Sequence, residues 1–247
     1  MRTFSLTDTG VLRTMNQDYC FSSDACVGNL SNLYVVCDGM GGHKAGEYAS
    51  RYTVERIVAS ASRSRWTDPV RIIREAVEKA NEILVIESRE DEEKRGMGTT
   101  AVVATIEDHR LYVANVGDSR LYIIGEAIKQ ITWDHSYVEE MVRMGKMNRN
   151  DAIYSERKNA ITRAVGATER IDIDFFEVEL KESDAVLMCS DGLSNMVTDE
   201  RIFEIVKSYN QTETICKALI DEANKNGGQD NITAIVLKPY SDEVKEC

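Results

Sequence analysis

The sequence predicts a layered α+β domain. Three observations carry that reading: short apolar runs rich in Val, Ile and Leu, tight turns between several of them, and two separate pairs of helical patterns. The strand-like runs are Leu33 to Cys37, Thr100 to Ile106, Leu111 to Val116, Leu121 to Ile124, Ala185 to Cys189 and Ile232 to Leu237. Ile171 to Leu180 starts with alternation and then loses its period, so it reads as a strand with loose bounds. Glu107-Asp108-His109 and Gly117-Asp118-Ser119 join neighbouring runs too tightly for a crossover, which favours antiparallel pairing.

Helical periodicity falls elsewhere. Ala45 to Ala61 and Pro69 to Glu93 form a pair in the first half. In the second of these, Val70, Ile73, Val77, Ala80 and Leu84 recur at three- and four-residue steps and mark one buried face. Asp68 before Pro69 has the form of an N-cap followed by proline at the first helical position. Asp199 to Ser208 and Glu213 to Asn226 form the second pair, the latter stopped by Gly227. Helix pairs set between antiparallel strands suit sheets covered by helices. Ser136 to Ala160, rich in Asn, Arg, Lys and Met, reads as a surface excursion, and Ser241 to Cys247 as a polar tail. The remaining 1–240 reads as a single domain, because no repeat or low-complexity linker divides it.

Composition narrows the function. The 247 residues carry a formal net charge of −12, which repels nucleic-acid backbones and anionic lipid surfaces. No apolar run approaches the about 20 residues that span a bilayer, and the first ten residues lack the form of a secretory signal. The six cysteines show no CxxC or zinc-finger spacing, and Cys37 and Cys189 close apolar runs as small hydrophobes. A reduced, cytoplasmic protein is expected.

The aspartates stand where strands stop. Asp38-Gly39 follows LYVVC, Asp191-Gly192 follows AVLMCS, Asp118 follows LYVANVG, and Asp230 stands just before ITAIVL. Singly, each is well explained as a turn, since Asp bonds nearby backbone and Gly accepts positive φ. Convergence in space would change their meaning, because the repulsion would then call for cations or protons. Oxygen ligands suit Mg²⁺ or Mn²⁺, and the three histidines lack the spacing of a zinc site. The glycines of Asp38-Gly39-Met40-Gly41-Gly42-His43 let backbone approach an ion or a phosphate closely. His43 reads either as a solvated histidine or, beside a phosphoester, as a proton donor.

An ordered set of motifs runs through nearly the whole chain. It comprises Thr7-Asp8-Thr9-Gly10-Val11-Leu12-Arg13 with Asn16-Gln17-Asp18, then Asp38-Gly39-Met40-Gly41-Gly42-His43, then Gly96-Met97-Gly98-Thr99-Thr100. Val116-Gly117-Asp118-Ser119-Arg120, Asp134-His135-Ser136, Ser190-Asp191-Gly192-Leu193 and Gly228-Gln229-Asp230-Asn231 follow. In this the chain resembles the metal-dependent type 2C protein serine/threonine phosphatases (the PPM family), especially their compact bacterial members. The resemblance implies a four-layer sandwich, two antiparallel β-sheets flanked by helix pairs. It implies that Asp38 bridges two metal ions, Mn²⁺ or Mg²⁺, with the carbonyl of Gly39, Asp191 and Asp230 as further ligands. Asp118, with Asp191, matches the holder of a third, weaker ion, and Asp18 an acid that reaches the metals through water. Arg13 matches the grip on substrate phosphate and His43 the general acid. The implied substrates are phosphoserine and phosphothreonine proteins, the implied counterpart is a cognate Ser/Thr kinase, and the expected state is a monomer.

Two departures stand out. Gln17 occupies a position where many relatives have Glu, and Ser155-Glu156 falls where many bacterial ones have His-Pro, so substrate contacts in that flap do not carry over. The thiol route to dephosphorylation is excluded, since no Cys-x5-Arg arrangement occurs. Two rivals are another binuclear metallohydrolase, such as a nuclease, and a catalytically dead phosphoprotein-binding module. Net charge counts against the first, and retention of Asp38, Asp191 and Asp230 against the second.

Overall fold

The computed structural model describes residues 1–42, 44–148 and 160–240. The strands are β1 (Arg2–Asp8), β2 (Asp18–Ser23), β3 (Leu33–Met40), β4 (Gly98–Thr99), β5 (Ala101–Glu107), β6 (Arg110–Val116), β7 (Arg120–Ile124), β8 (Ile128–Gln130), β9 (Asp174–Glu179), β10 (Ala185–Cys189) and β11 (Ile232–Lys238). The helices are α1 (Ala45–Ser62), α2 (Pro69–Glu90), α3 (Tyr137–Arg143), α4 (Asp199–Ser208) and α5 (Thr212–Lys225), with one helical turn at Asp191–Ser194. One sheet has the order β1-β11-β10-β7-β8 and the other β2-β3-β5-β6-β9, with β4 on β3. Every pairing is antiparallel.

The period-2 alternation of the central strands explains the layering. Leu33, Val35 and Cys37 of β3 pack under α1 and α2, whereas Tyr34 and Val36 face the other sheet. In the second sheet Ala185, Leu187 and Cys189 pack under α4 and α5, whereas Val186 and Met188 meet the first sheet. Three apolar cores therefore lie between four layers, helix pair, sheet, sheet, helix pair, in agreement with the expected sandwich. Strands buried on both faces must be apolar throughout, which is why these runs were legible.

The edges were less so. β1, β2 and β8 stand at sheet margins, are only part-buried, and alternate weakly with Ser, Thr and charged residues. The loosely bounded Ile171 to Leu180 narrows to β9, another edge strand. The helix expected to reach Glu93 stops at Glu90 and gives way to a 3₁₀ turn at Glu92–Lys94. Its buried face includes Ile72, Ala76 and Val85 as well as the expected residues, while Val70 is only half-buried. The supposed excursion begins with an ordered helix, α3, capped by the Ser136 hydroxyl. Residues 149–159 and the tail 241–247 lie outside the described residues.

The cap on α2 is as the sequence indicates. Asp68 Oδ1 accepts the Arg71 N–H at 2.7 Å, ahead of Pro69. Asp68→Ala removes that bond from an exposed helix end. It is expected to cost about 1 kcal/mol and lower Tm by about 2–4 °C in a thermal melt.

Candidate active site

The site is assembled at the strand ends where the two sheets meet. β2 and β3 pair so that Asp18 stands directly opposite Asp38. The backbone of Asp38 is held on three sides: its N–H donates to Thr100 Oγ1 at 2.9 Å, and its carbonyl accepts from Thr100 N and Thr99 Oγ1. Gly39 donates to the carbonyl of Gln17 at 3.0 Å. A Cβ on Gly39 would collide with the carbonyls of Gly46 and Gln17, so the end of β3 meets the first turn of α1 backbone to backbone.

Asp18 is buried beneath this pair. Its Oδ2 accepts from Ser190 Oγ and Thr233 Oγ1, both at 2.7 Å, which ties β2 to the ends of β10 and β11. Its Oδ1 is equally buried and has no hydrogen-bond partner. Asp191 opens the helical turn after β10, and its Oδ2 accepts from Asn195 Nδ2 at 2.9 Å. Asp230 Oδ1 accepts from the Asn231 N–H, and its Oδ2 takes a 2.8 Å bond from Arg13 Nη2. Asp118 lies buried in the Gly117–Ser119 turn, whose Ser119 hydroxyl is bonded to Thr100 Oγ1 at 2.7 Å.

These acids sense one another. Burial, then the charges of Asp18, Asp191, Asp118 and Asp230, push the Asp38 carboxyl well above the usual carboxylate range. Burial pushes Asp18 to about 7, the Ser190 and Thr233 hydroxyls pulling it down and Asp191 and Asp230 pushing it up. Asp118 is raised to about 8, by burial first and by Asp191 next. The structure therefore brings Asp18, Asp38, Asp118, Asp191 and Asp230 into one electrostatic neighbourhood. Among the described residues, however, no three acidic, histidine or cysteine side chains close around a single point as they stand. Arg13 joins the group through Asp230, a pairing the sequence did not announce. His43 lies outside the described residues.

Two supporting residues had no separate role in the sequence reading. Asn231 is buried between the N-terminal loop and β11; its Oδ1 accepts from Gln17 N at 2.8 Å, and its Nδ2 donates to the carbonyls of Thr9 and Met15. It fixes the loop that carries Arg13. Its position directly after Asp230 was the available signal.

His135 does the same for Asp118. Its backbone N–H donates to the Gly117 carbonyl at 2.9 Å, and the Gly117 N–H donates back to its ring Nδ1 at 3.0 Å. With Nδ1 accepting, the proton sits on Nε2, 3.0 Å from Asp174 Oδ2, and Arg163 Nη1 donates to the other Asp174 oxygen. Burial lowers the His135 pKa, the Asp174 contact opposing it. Burial works to raise Asp174, and the bonds from His135 and Arg163 outweigh it. Asp134, its neighbour in sequence, is instead gripped by Arg120 through Nε and Nη2.

The geometry can be set against known proteins. A family model described as Protein phosphatase 2C matches residues 9–232. The serine/threonine phosphatase Stp of Listeria monocytogenes is 35% identical over 244 residues, 94% of this chain and 93% of the relative. The protein phosphatase PhpP of Streptococcus pneumoniae is 36% identical over 248 residues, 97% of this chain and 98% of the relative. The solved catalytic domain of the serine/threonine protein phosphatase PstP, in complex with two manganese ions, superposes with a TM-score of 0.84 at 29% identity, covering 95% of this chain and 96% of that one.

The His135 clamp generates a stability test. His135→Ala leaves the buried Gly117 N–H without its acceptor and is expected to cost about 2 kcal/mol at pH 8. Because the folded-state pKa lies below the unfolded value of about 6.5, this ring's contribution is complete above that pH and is lost as pH falls through the folded value. The difference in unfolding free energy between wild type and variant should therefore narrow from pH 7 to pH 5 in urea titrations.

Proposed function

The chain belongs to the protein phosphatase 2C family, and from that premise we propose that its clustered aspartates hold divalent cations for hydrolysis at phosphoserine and phosphothreonine. It is a protein serine/threonine phosphatase, an enzyme that cleaves a phosphomonoester to alcohol and phosphate. What is proposed is how this chain does so. The observation that carries the reading is the Asp18–Asp38 pair: two acids opposite each other on adjacent strands, both pushed up by burial and by their acidic neighbours.

The residues fit a metal centre in kind. Their side-chain donors are all carboxylate oxygens, the donor type hard cations take, and the buried Oδ1 of Asp18 has an unused acceptor site. We assign Asp38, the Gly39 carbonyl, Asp191 and Asp230 to a pair of ions, and Asp118 with Asp191 to a third. Asp18 is assigned to the outer shell, reaching the ions through water, since Ser190 and Thr233 already hold its other oxygen. Two manganese ions in the PstP structure support Mn²⁺, and Mg²⁺ is the chemically similar alternative. Such ions, when bound, polarise water for attack and offset the charge of the phosphate.

The protein's own groups do the rest. Arg13 is half-exposed and spends one Nη2 bond on Asp230, leaving the other guanidinium donors for phosphate oxygens. Asp230 thus aims the phosphate grip, and Asn231 holds the loop beneath it. His43 is proposed to protonate the departing serine or threonine oxygen. We further propose that 1–240 acts as a single catalytic domain, monomeric and cytoplasmic, opposing a Ser/Thr kinase. The thiols bear on the reducing setting alone. Among the described residues Cys20, Cys26, Cys37, Cys189 and Cys216 are free, and no helix is long and apolar enough to cross a membrane.

Phosphate release from a phosphothreonine peptide tests the assignment. Wild type with Mn²⁺ should turn over, Asp38→Asn should lose roughly 100-fold or more, and calorimetry should show weakened Mn²⁺ binding. Full activity after exhaustive chelation would remove the metals from the reaction. Arg13→Ala is expected to raise KM for the peptide several-fold; unchanged kinetics would take Arg13 out of the phosphate site.

A further inference from the structure

The far end of the α1–α2 pair carries a groove of about 480 Å³. It lies at the C-terminal end of α1, while the N-terminal end of that helix abuts the aspartate cluster. Arg56, Arg63, Arg65 and Lys79 line it, against Glu75 and Glu82. Glu75 is already engaged, accepting from Trp66 Nε1 at 2.8 Å and facing Lys79 at 3.7 Å. Arg56, Arg63 and Arg65 form no ion pair with any described residue; Arg56 rests on the Tyr52 ring, close enough to Glu87 for its charge to be felt there. On a chain of net charge −12, a cleft lined by three arginines and a lysine against two glutamates is a local reversal of sign.

The connection that presents these arginines is braced. Asn29 Nδ2 donates to the carbonyls of Trp66 at 2.7 Å and Ser64 at 3.3 Å. The Arg71 guanidinium stacks 3.2 Å from the Trp66 ring centre. Arg63 and Ser64 return their N–H groups to Ser60 and Ala61. A loop held this firmly loses little freedom when something binds to it.

We propose that this groove docks an acidic segment of the phosphoprotein substrate, at a distance from the phosphorylated residue. The proposal rests on the phosphatase reading above. Charge complementarity selects the occupant: the cleft attracts carboxylates within a Debye length, whereas the wider negative surface repels a long polyanion such as nucleic acid. The geometry sets the spacing. α1 has 18 residues and is therefore about 27 Å long, so an extended peptide needs at least about eight residues between phosphoresidue and acidic segment.

The test uses the whole chain with Mn²⁺ and phosphothreonine peptides carrying hexaglutamate or hexaserine tails, on either side, after linkers of four or twelve residues. At low salt, the hexaglutamate tail on the long linker should lower KM about fivefold, and the short linker should give no gain. The double variant Arg63→Ser with Arg65→Ser should abolish the gain while leaving turnover of the hexaserine peptide and Tm unchanged. Direct binding keeps this separate from catalysis: a fluorescent hexaglutamate peptide should show anisotropy that the double variant loses, even if no peptide is hydrolysed. Equal KM for both tails, equal binding by the variant, or tighter capture of a single-stranded oligonucleotide of matched charge would overturn the proposal.

Discussion

Carboxylates repel one another, and enclosing them in protein strengthens the repulsion because little water remains to screen it. Asp18 and Asp38 bear this directly, as cross-strand neighbours within a sheet, with Asp118, Asp191 and Asp230 adding to the field. Nothing in the local chain favours that arrangement. It persists because the apolar layers on either side leave the strand ends no other place to go, and the rest of the structure answers to that constraint.

The restraint is exerted mostly through backbone. Thr99 and Thr100 pin the peptide of Asp38, the missing side chains of Gly39 and Gly46 let strand and helix touch, and Asn231 spans to the loop before Asp18. His135 holds the Asp118 turn by both the N–H and the carbonyl of Gly117. Neutral hydroxyls, amides and peptide groups carry most of this bonding.

How legible this was in the sequence depended on burial. Strands covered on both faces, such as β3 up to Cys37 and β11 up to Leu237, are almost wholly apolar there, and they stand out. Edge strands such as Arg2–Asp8 and Asp18–Ser23 answer only half to the core and blend with loops. The aspartates were readable as strand-end residues, yet their convergence depended on pairings between distant segments that spacing does not encode. The family motifs supplied that step. Asn231 and His135 sat inside those motifs, but their work is hydrogen bonding to backbone many residues away, which has no periodicity to reveal it. The Arg13–Asp230 bond likewise joins residues near opposite ends of the chain.

The ladder between β2 and β3 has a consequence for how this protein can vary. Side chains along a strand change faces at every residue, so the alignment that sets Asp18 across from Asp38 also puts Cys20 level with Val36 toward the inter-sheet core. Inserting or deleting one residue in β2 would swing the acid out of the cluster and drive the exposed ring of Tyr19 toward that core. Architecture and chemistry would fail in the same event. This margin of the molecule can drift by substitution, but its length is effectively frozen.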